Sequence, residues 1–222
     1  MVVFAPHPDD ETLGCGGTIA KKISQGYEVI IVIMTDGRHA FSKVFGIDSD
    51  PTPEELKEIR KEEVLRAVKI LGVPKENVIF LGFEDGSLEE NADKAVETIK
   101  EIMIKYSPSE IYFPFIKDFH PDHRAANRMI KKCAQELRLT CLKNQYSISH
   151  KYARLGPLFE RILNLFRKSI VEVDVSDFLD LKKIAVGEFT SEISTISDEQ
   201  KKPLIEKTQK FFKRKETFYL DK

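Results

Sequence analysis

Cysteine is scarce in this 222-residue sequence, and long apolar runs are absent. The three cysteines, Cys15, Cys133 and Cys141, have no Cys-x-x-Cys spacing, so neither a disulfide framework nor a thiolate zinc site is expected. Crossing a bilayer takes roughly 20 apolar residues, whereas the best run here covers only residues 29–34. We therefore expect reduced cysteines and no integral membrane segment.

The sequence also lacks an excess of charge of either sign. It has 35 basic and 36 acidic residues, a formal net charge of -1, so nothing draws the whole chain to nucleic acid. The opening MVVFAPHPDDE is acidic and contains prolines where a signal peptide needs a continuous apolar stretch. We therefore expect a cytoplasmic protein without a nucleic-acid partner, and the length is typical of one domain over residues 1–222.

Short β-branched runs alternate with longer segments of helical period. Strands are predicted over residues 2–5, 28–35, 77–82, 110–114 and 170–175. Apolar stripes at helical spacing lie between them, from Leu56 to Leu71 and from Ala92 to Tyr106. This alternation predicts an α/β, Rossmann-like three-layer fold, in which helices cover both faces of a mostly parallel sheet. Residues 37–53 have a loop-like composition, and residues 144–168 form a less regular insert.

Two polar motifs follow predicted strands at their carboxyl ends. HPDDE occupies residues 7–11 after the first strand, and HPDH occupies residues 120–123 after the fourth. Ligands of open α/β sheets bind beyond these strand ends, so the two motifs are expected to meet. A catalytic zinc takes three nitrogen or oxygen ligands and leaves a position for water, which two His and one Asp can supply. Either motif alone could instead cap a helix.

The run HPDDETLGCGGT at residues 7–18, with HPDH downstream, resembles the PIG-L/LmbE-like family of zinc-dependent N-acetylglucosaminyl de-N-acetylases. Later landmarks occur in the family's order: Arg60-x-x-Glu63, Asp85-Gly86, Lys182-x-x-Ala185 and Glu216-x-Phe218. The resemblance covers nearly the whole chain, with the middle insert least matched. It implies a hydrolase that removes the acetyl group from an N-acetylglucosamine-type amino sugar, and an enzyme that can form homo-oligomers.

The resemblance also implies a role for individual residues. Zn²⁺ would be held by His7, Asp10 and His123, with Asp9 as general base. His120 would stabilise the oxyanion, Asp122 would hold its ring and favour its charged form, and Arg60 and Asp85 would bind the sugar. Two positions depart from the family pattern: Asp36-Gly37-Arg38 replaces Gly-Glu, and Ser191-Glu192 replaces Ser-Gln. The first departure leaves the identity of the substrate open.

Several other interpretations stay open at this point. Gly14-x-Gly16 after the first strand suggests a nucleotide-binding α/β protein, although the final small residue of that fingerprint is missing. The chain could also be a zinc amidase acting on a non-sugar N-acyl substrate, or a metal-dependent sugar-binding protein without turnover. Arg60 could form an ordinary helix salt bridge with Glu58 or Glu63, and Asp85 could be a turn residue.

Overall fold

The computed structural model describes residues 1–148 and 170–221, which contain one seven-stranded sheet. Its strands are β1 (Val2–Ala5), β2 (Ile30–Thr35), β3 (Val78–Phe83), β4 (Glu110–Pro114), β5 (Leu142–Tyr146), β6 (Ile170–Asp174) and β7 (Lys215–Leu220). They are arranged in the order β3-β2-β1-β4-β5-β7-β6. The first five in this order run parallel, while β7 is antiparallel to both β5 and β6.

The helices pack on both faces of this sheet. They are α1 (Asp10–Ser24), α2 (Ala40–Phe45), α3 (Pro53–Ile70), α4 (Ala92–Tyr106), α5 (Pro121–Glu136), α6 (Leu179–Gly187) and α7 (Thr190–Ile193). Alternate residues of β1 serve the two faces. Val2 and Phe4 join a core with α4 and α5, whereas Val3 and Ala5 join a core with α1, α3 and α6. The predicted three-layer α/β fold is confirmed.

The strand order places a topological switch point between β1 and β4. From β1 the chain extends the sheet towards β2 and β3, whereas β4 and β5 extend it the other way. Crevices open at such points, because the loops leaving the two central strands diverge to opposite faces. HPDDE leaves β1 and HPDH leaves β4, so the two motifs flank this crevice.

Strands β5 and β7 were not predicted, and their composition explains why. Both are polar: β5 reads LKNQY and β7 reads KETFYL. In β7 the inward positions are occupied by Glu216 and Phe218, so a buried carboxylate interrupts the expected apolar alternation. The loop-like segment 37–53 contains the short helix α2. Of the predicted insert, residues 144–146 belong to β5, while residues 149–168 lie outside the described part of the chain.

The glycines of α1 allow other elements to approach closely. A Cβ at Gly14 would lie 2.6 Å from the Tyr146 ring, and one at Gly17 would lie 2.7 Å from Val175. These glycines therefore serve close packing, which favours a structural role for the glycine-rich segment over the nucleotide-binding interpretation. Within residues 1–148 and 170–221, no helix is both long enough and apolar enough to cross a bilayer.

A buried ion pair joins α6 to the sheet and to α1. The Lys182 ammonium lies 2.6 Å from a Glu216 carboxylate oxygen and donates to the Leu13 carbonyl at 2.8 Å. Glu216 also accepts the amides of Gly17 and Thr18, at 2.9 and 2.8 Å. The family-like motifs Lys182-x-x-Ala185 and Glu216-x-Phe218 are thus joined by one structural contact.

We expect Lys182→Met to lower the free energy of unfolding by about 3–5 kcal/mol, because it leaves the Glu216 carboxylate buried without its cation. Urea denaturation followed by circular dichroism measures this. The matched control is Lys183→Met on the same helix, which removes only a surface pair with Asp180 and should change stability by about 0.5 kcal/mol or less. Equal effects of the two substitutions would contradict this account.

Candidate metal centre

The turn that leaves β1 is tight and strained. Asp9 connects the strand to α1 with φ 134° and ψ -29°, a region that L-residues rarely occupy and that costs on the order of 1–3 kcal/mol. Its carbonyl accepts the amides of Thr12 and Leu13, which starts α1. The Asp10 carboxylate folds back and accepts the His7 amide at 2.9 Å. Both acidic side chains are buried at the crevice.

The turn that leaves β4 is organised by Asp118, a residue that sequence reasoning missed. Its carboxylate is fully buried and accepts the amides of His120 and Ile148, each at 3.3 Å. His120 then caps α5, and Pro121 occupies the first turn of that helix, where a missing N–H costs nothing. This places His123 on the inner face of the first turn of α5.

The two turns bring three potential ligand atoms into a small triangle. His7 Nδ1 lies 3.1 Å from His123 Nε2 and 3.3 Å from Asp10 Oδ2, and the latter two atoms are 3.0 Å apart. Tetrahedral ligands at zinc–nitrogen distances of about 2.0–2.1 Å would be about 3.3 Å apart. The triangle therefore has the dimensions of one face of such a metal site.

The second nitrogen of each imidazole faces a buried carboxylate. His7 Nε2 lies 3.2 Å from Asp122 Oδ2, and His123 Nδ1 lies 3.3 Å from Asp118 Oδ2. Asp122 is held in turn by the amides of Gly86 at 2.8 Å and Leu88 at 3.2 Å. Metal-binding histidines usually have such a carboxylate partner, which fixes the tautomer and the direction of the ring. This arrangement fits a metal bound within the triangle.

Wider groupings of ligand atoms also occur here. The potential ligand atoms of His7, His120 and His123 lie within 4.8 Å of one another, as do those of His7, Asp85, His120 and Asp122. Both carboxylate oxygens of Asp122 are already engaged by backbone amides. The described residues thus include His and Asp groups able to bind a metal ion, and the triangle shares His7 and His123 with them.

The electrostatics of the group favour a cation. Burial lowers the pKa of His7, but hydrogen bonds with carboxylates, Asp10 first, outweigh burial and raise that pKa well above its ordinary value. For His123 burial is likewise outweighed by Asp10 and Asp118, and the pKa rises to about 9. Carboxylates that hold a proton on an imidazole at neutral pH equally favour a metal cation in its place.

His120 differs from the other two imidazoles. Its side chain is 37% exposed, and its Nδ1 accepts the Asp122 amide at 3.3 Å, which leaves the hydrogen on Nε2. Burial, followed by the charges of His7 and His123, lowers its pKa to about 4. Asp122 Oδ2, at 3.9 Å, acts in the opposite direction and raises this pKa. The amide contact leaves Nε2 as the nitrogen that can donate into the crevice. The charged form of His120 stays a prediction.

The two residues expected to bind sugar, Arg60 and Asp85, are both buried in this structure. The Arg60 side chain is 4% exposed and donates to the carbonyls of Pro8 at 2.8 Å and Gly37 at 3.0 Å. It also lies 2.5 Å from Glu192, and not against Glu58 or Glu63. The Asp85 side chain is 5% exposed and lies 3.1 Å from the Lys43 ammonium and 3.5 Å from His7 Nε2. Their predicted contact with the sugar stays a prediction.

The neighbourhood of Asp9 includes Glu192, one of the two residues of the Ser191-Glu192 departure from the family pattern. Glu192 is buried, and its carboxylate meets the Arg60 guanidinium that lies 3.8 Å from Asp9. Burial first, then the charges of Glu192 and Asp10, raise the pKa of Asp9 well above its ordinary value, against an opposing effect of Arg60. In the sequence, the only sign of this contact was that Glu192 replaces the family's Gln. That Glu192 lies beside the turn after β1 is visible only in the folded chain.

Comparison with known proteins agrees with this geometry. Residues 2–134, more than half of the chain, match the family described as PIG-L, GlcNAc-PI de-N-acetylase. The chain belongs to this family, which confirms the resemblance seen in the sequence.

Three relatives show the range of the similarity. The Bacillus cereus protein named "Probable N-acetyl-alpha-D-glucosaminyl L-malate deacetylase 2" is 33% identical over 140 residues, 62% of this chain and 61% of the relative. The diacetylchitobiose deacetylase of Thermococcus kodakarensis is 29% identical over 193 residues, 84% of this chain and 67% of the relative. The N,N'-diacetylchitobiose deacetylase structure from Pyrococcus horikoshii has a TM-score of 0.64 at 25% identity, covering 84% of this chain and 68% of that one. The chain thus spans about three fifths to two thirds of these relatives.

We expect Asp118→Asn to weaken divalent-metal binding about 10–100-fold. The neutral asparagine side chain would orient His123 less firmly than the carboxylate does and would no longer raise the basicity of its ring. Competition between the protein and a zinc-responsive dye measures the dissociation constant. His39→Gln is the control, since His39 pairs with Glu84 at the rim and not with the triangle. A dissociation constant unchanged in D118N would remove Asp118 from the metal centre.

Proposed function

We propose that the chain is a zinc-dependent hydrolase that removes the acetyl group from an N-acetylglucosamine-type amino sugar. The observation that carries this proposal is the triangle of His7, Asp10 and His123, with a buried carboxyl and an accessible imidazole beside it. The names of relatives in the same family, which include deacetylases of acetylated glucosamine compounds, support the choice of reaction.

The three residues of the triangle would hold the metal. Two imidazole nitrogens and one carboxylate oxygen match the ligand preference of zinc and leave one tetrahedral position for a reactant. When bound, zinc acts as a Lewis acid that makes water nucleophilic near neutral pH and polarises the acetyl carbonyl. Asp118 and Asp122 orient the two imidazoles from behind, so the ligand set needs little rearrangement to bind the ion.

Asp9 would move the proton. Its carboxyl group is buried beside Asp10, and burial together with the charges of Glu192 and Asp10 raises its pKa, which makes it a stronger base. It would take a proton from the attacking water and later deliver it to the departing amine. One carboxyl group can therefore serve both halves of amide hydrolysis.

His120 would stabilise the developing oxyanion. Its Nε2–H is free to donate because Nδ1 is occupied by the Asp122 amide, and its ring is partly exposed. A single oriented donor to an oxyanion is worth on the order of 3 kcal/mol in other hydrolases. Asp122 would hold both rings, because its carboxylate faces His7 Nε2 and its amide donates to His120 Nδ1.

The test is acetate release together with metal content. Purified, chelated and zinc-restored protein is assayed on N-acetylglucosamine, diacetylchitobiose, an N-acetylglucosaminyl malate conjugate and an N-acetylated amino acid. We expect about one zinc per chain, and activity on the sugars that chelation removes and zinc restores. Turnover of the amino acid alone would favour the non-sugar amidase. Zinc binding without any acetate release would leave a metal-binding protein, and no metal binding would overturn the proposal.

Asp9→Asn should lower the turnover number for acetate release about 10²–10⁴-fold, because an amide cannot accept the water's proton. Zinc content should stay at the wild-type level, since Asp9 is not assigned to the metal. Asp93→Asn, which changes an exposed carboxylate on α4, is the matched control and should keep full activity. Undiminished turnover by zinc-loaded D9N would remove Asp9 from the role of base.

A further inference from the structure

The peptide unit between Pro8 and Asp9 is held at both of its ends. Its carbonyl, that of Pro8, accepts a hydrogen bond from Arg60 Nη2 at 2.8 Å. Its amide, that of Asp9, donates to Glu11 Oε2 at 3.2 Å. Each of these partners approaches from a different element, α3 on one side and α1 on the other.

Both partners are themselves fixed. Glu11 is completely buried, and its other carboxylate oxygen accepts the Thr12 hydroxyl at 2.7 Å. The Arg60 guanidinium also donates to the Gly37 carbonyl at 3.0 Å and lies 2.5 Å from Glu192. Neither side chain can follow the peptide if it rotates, so their hydrogen bonds define one orientation of this peptide plane.

The residue after this peptide needs such restraint. Asp9 has φ 134°, a conformation that persists only where the surroundings over-determine it. Rotation about φ turns the Asp9 side chain and carbonyl relative to the amide that Glu11 holds. A relaxed φ would therefore turn the Asp9 carboxyl group away from its present direction, and compensating rotation in the neighbouring torsions would leave Asp10 in its contact with the His7 amide.

We propose that Glu11 is a positioning residue for Asp9, acting with Arg60 as a clamp on the Pro8–Asp9 peptide. This rests on the proposed function, in which Asp9 moves the proton. Arg60 and Glu192 take part in the same arrangement. Glu192 holds the Arg60 guanidinium, and that guanidinium holds the Pro8 carbonyl. A misplacement of about 1 Å in a reacting group can cost about 100-fold in rate, so the clamp has a measurable consequence.

The test compares two substitutions of similar size. Glu11→Gln keeps a hydrogen-bond acceptor for the Asp9 amide, whereas Glu11→Met fills the same space without one. We expect E11M to bind zinc as wild type does and to keep KM within about twofold, but to lose about 10–100-fold in kcat for acetate release. E11Q should restore kcat to within about threefold of wild type. A merely structural role would instead alter stability and zinc content together.

Crystal structures of wild type and E11M separate failure of the clamp from failure of the proposed function. If wild type releases no acetate, the proposed function fails. The clamp nevertheless stands if φ of Asp9 is positive in the wild-type crystal structure and relaxes in that of E11M. Unchanged kcat and unchanged φ in E11M would overturn the clamp.

If E11M does not fold, hydrogen exchange of the wild-type protein decides. The clamped Asp9 amide should exchange at least about 100-fold more slowly than in an unstructured peptide. Exchange at the unprotected rate would overturn the proposal.

Discussion

Buried negative charge is the constraint on which the rest of this crevice depends. Asp10, Asp118 and Asp122 are each almost inaccessible to solvent, and all three lie against imidazole nitrogens. Carboxylates removed from water are tolerated only when donors and cations compensate them. Backbone amides satisfy part of this demand, and the raised pKa values of His7 and His123 satisfy the remainder with protons. A divalent cation would compensate the same negative charge, so the group is able to bind a metal ion.

The same demand extends outward from the triangle to distant parts of the chain. Arg60 carries a positive charge to the turn after β1, and Glu192 from the short helix α7 holds that charge in place. Glu63 in turn accepts both the amide and the hydroxyl of Ser191, which fixes α7 against α3. Residues that precede and follow the undescribed segment are thus joined to the turn after β1 by buried polar contacts. The crevice therefore depends on a network of buried polar contacts that reaches α3 and α7, and not only on the residues of its two turns.

Much of this organisation follows from local sequence. The strands β1 and β4 are short apolar runs that leave little choice of structure, and the polar motifs directly after them specify which end of the sheet carries the chemistry. Strands β5 and β7 escape the same reasoning because their polar residues find partners only across the sheet, as Glu216 does with Lys182. Asp118 was equally hidden: nothing distinguishes one aspartate in a turn from another until it is seen behind His123.

The sequence by itself determined the fold class and the family, and it predicted the three residues of the triangle, because those properties reside in strand periodicity and in two short, specific motifs. Only the tertiary structure decided what the other polar residues do. Arg60 and Asp85 have side chains suited to a sugar, yet they are buried beneath the turn and the 37–53 segment. The partner of a long polar side chain is chosen by three-dimensional proximity and by the cost of leaving it unpaired. That cost depends on burial, which sequence spacing does not specify.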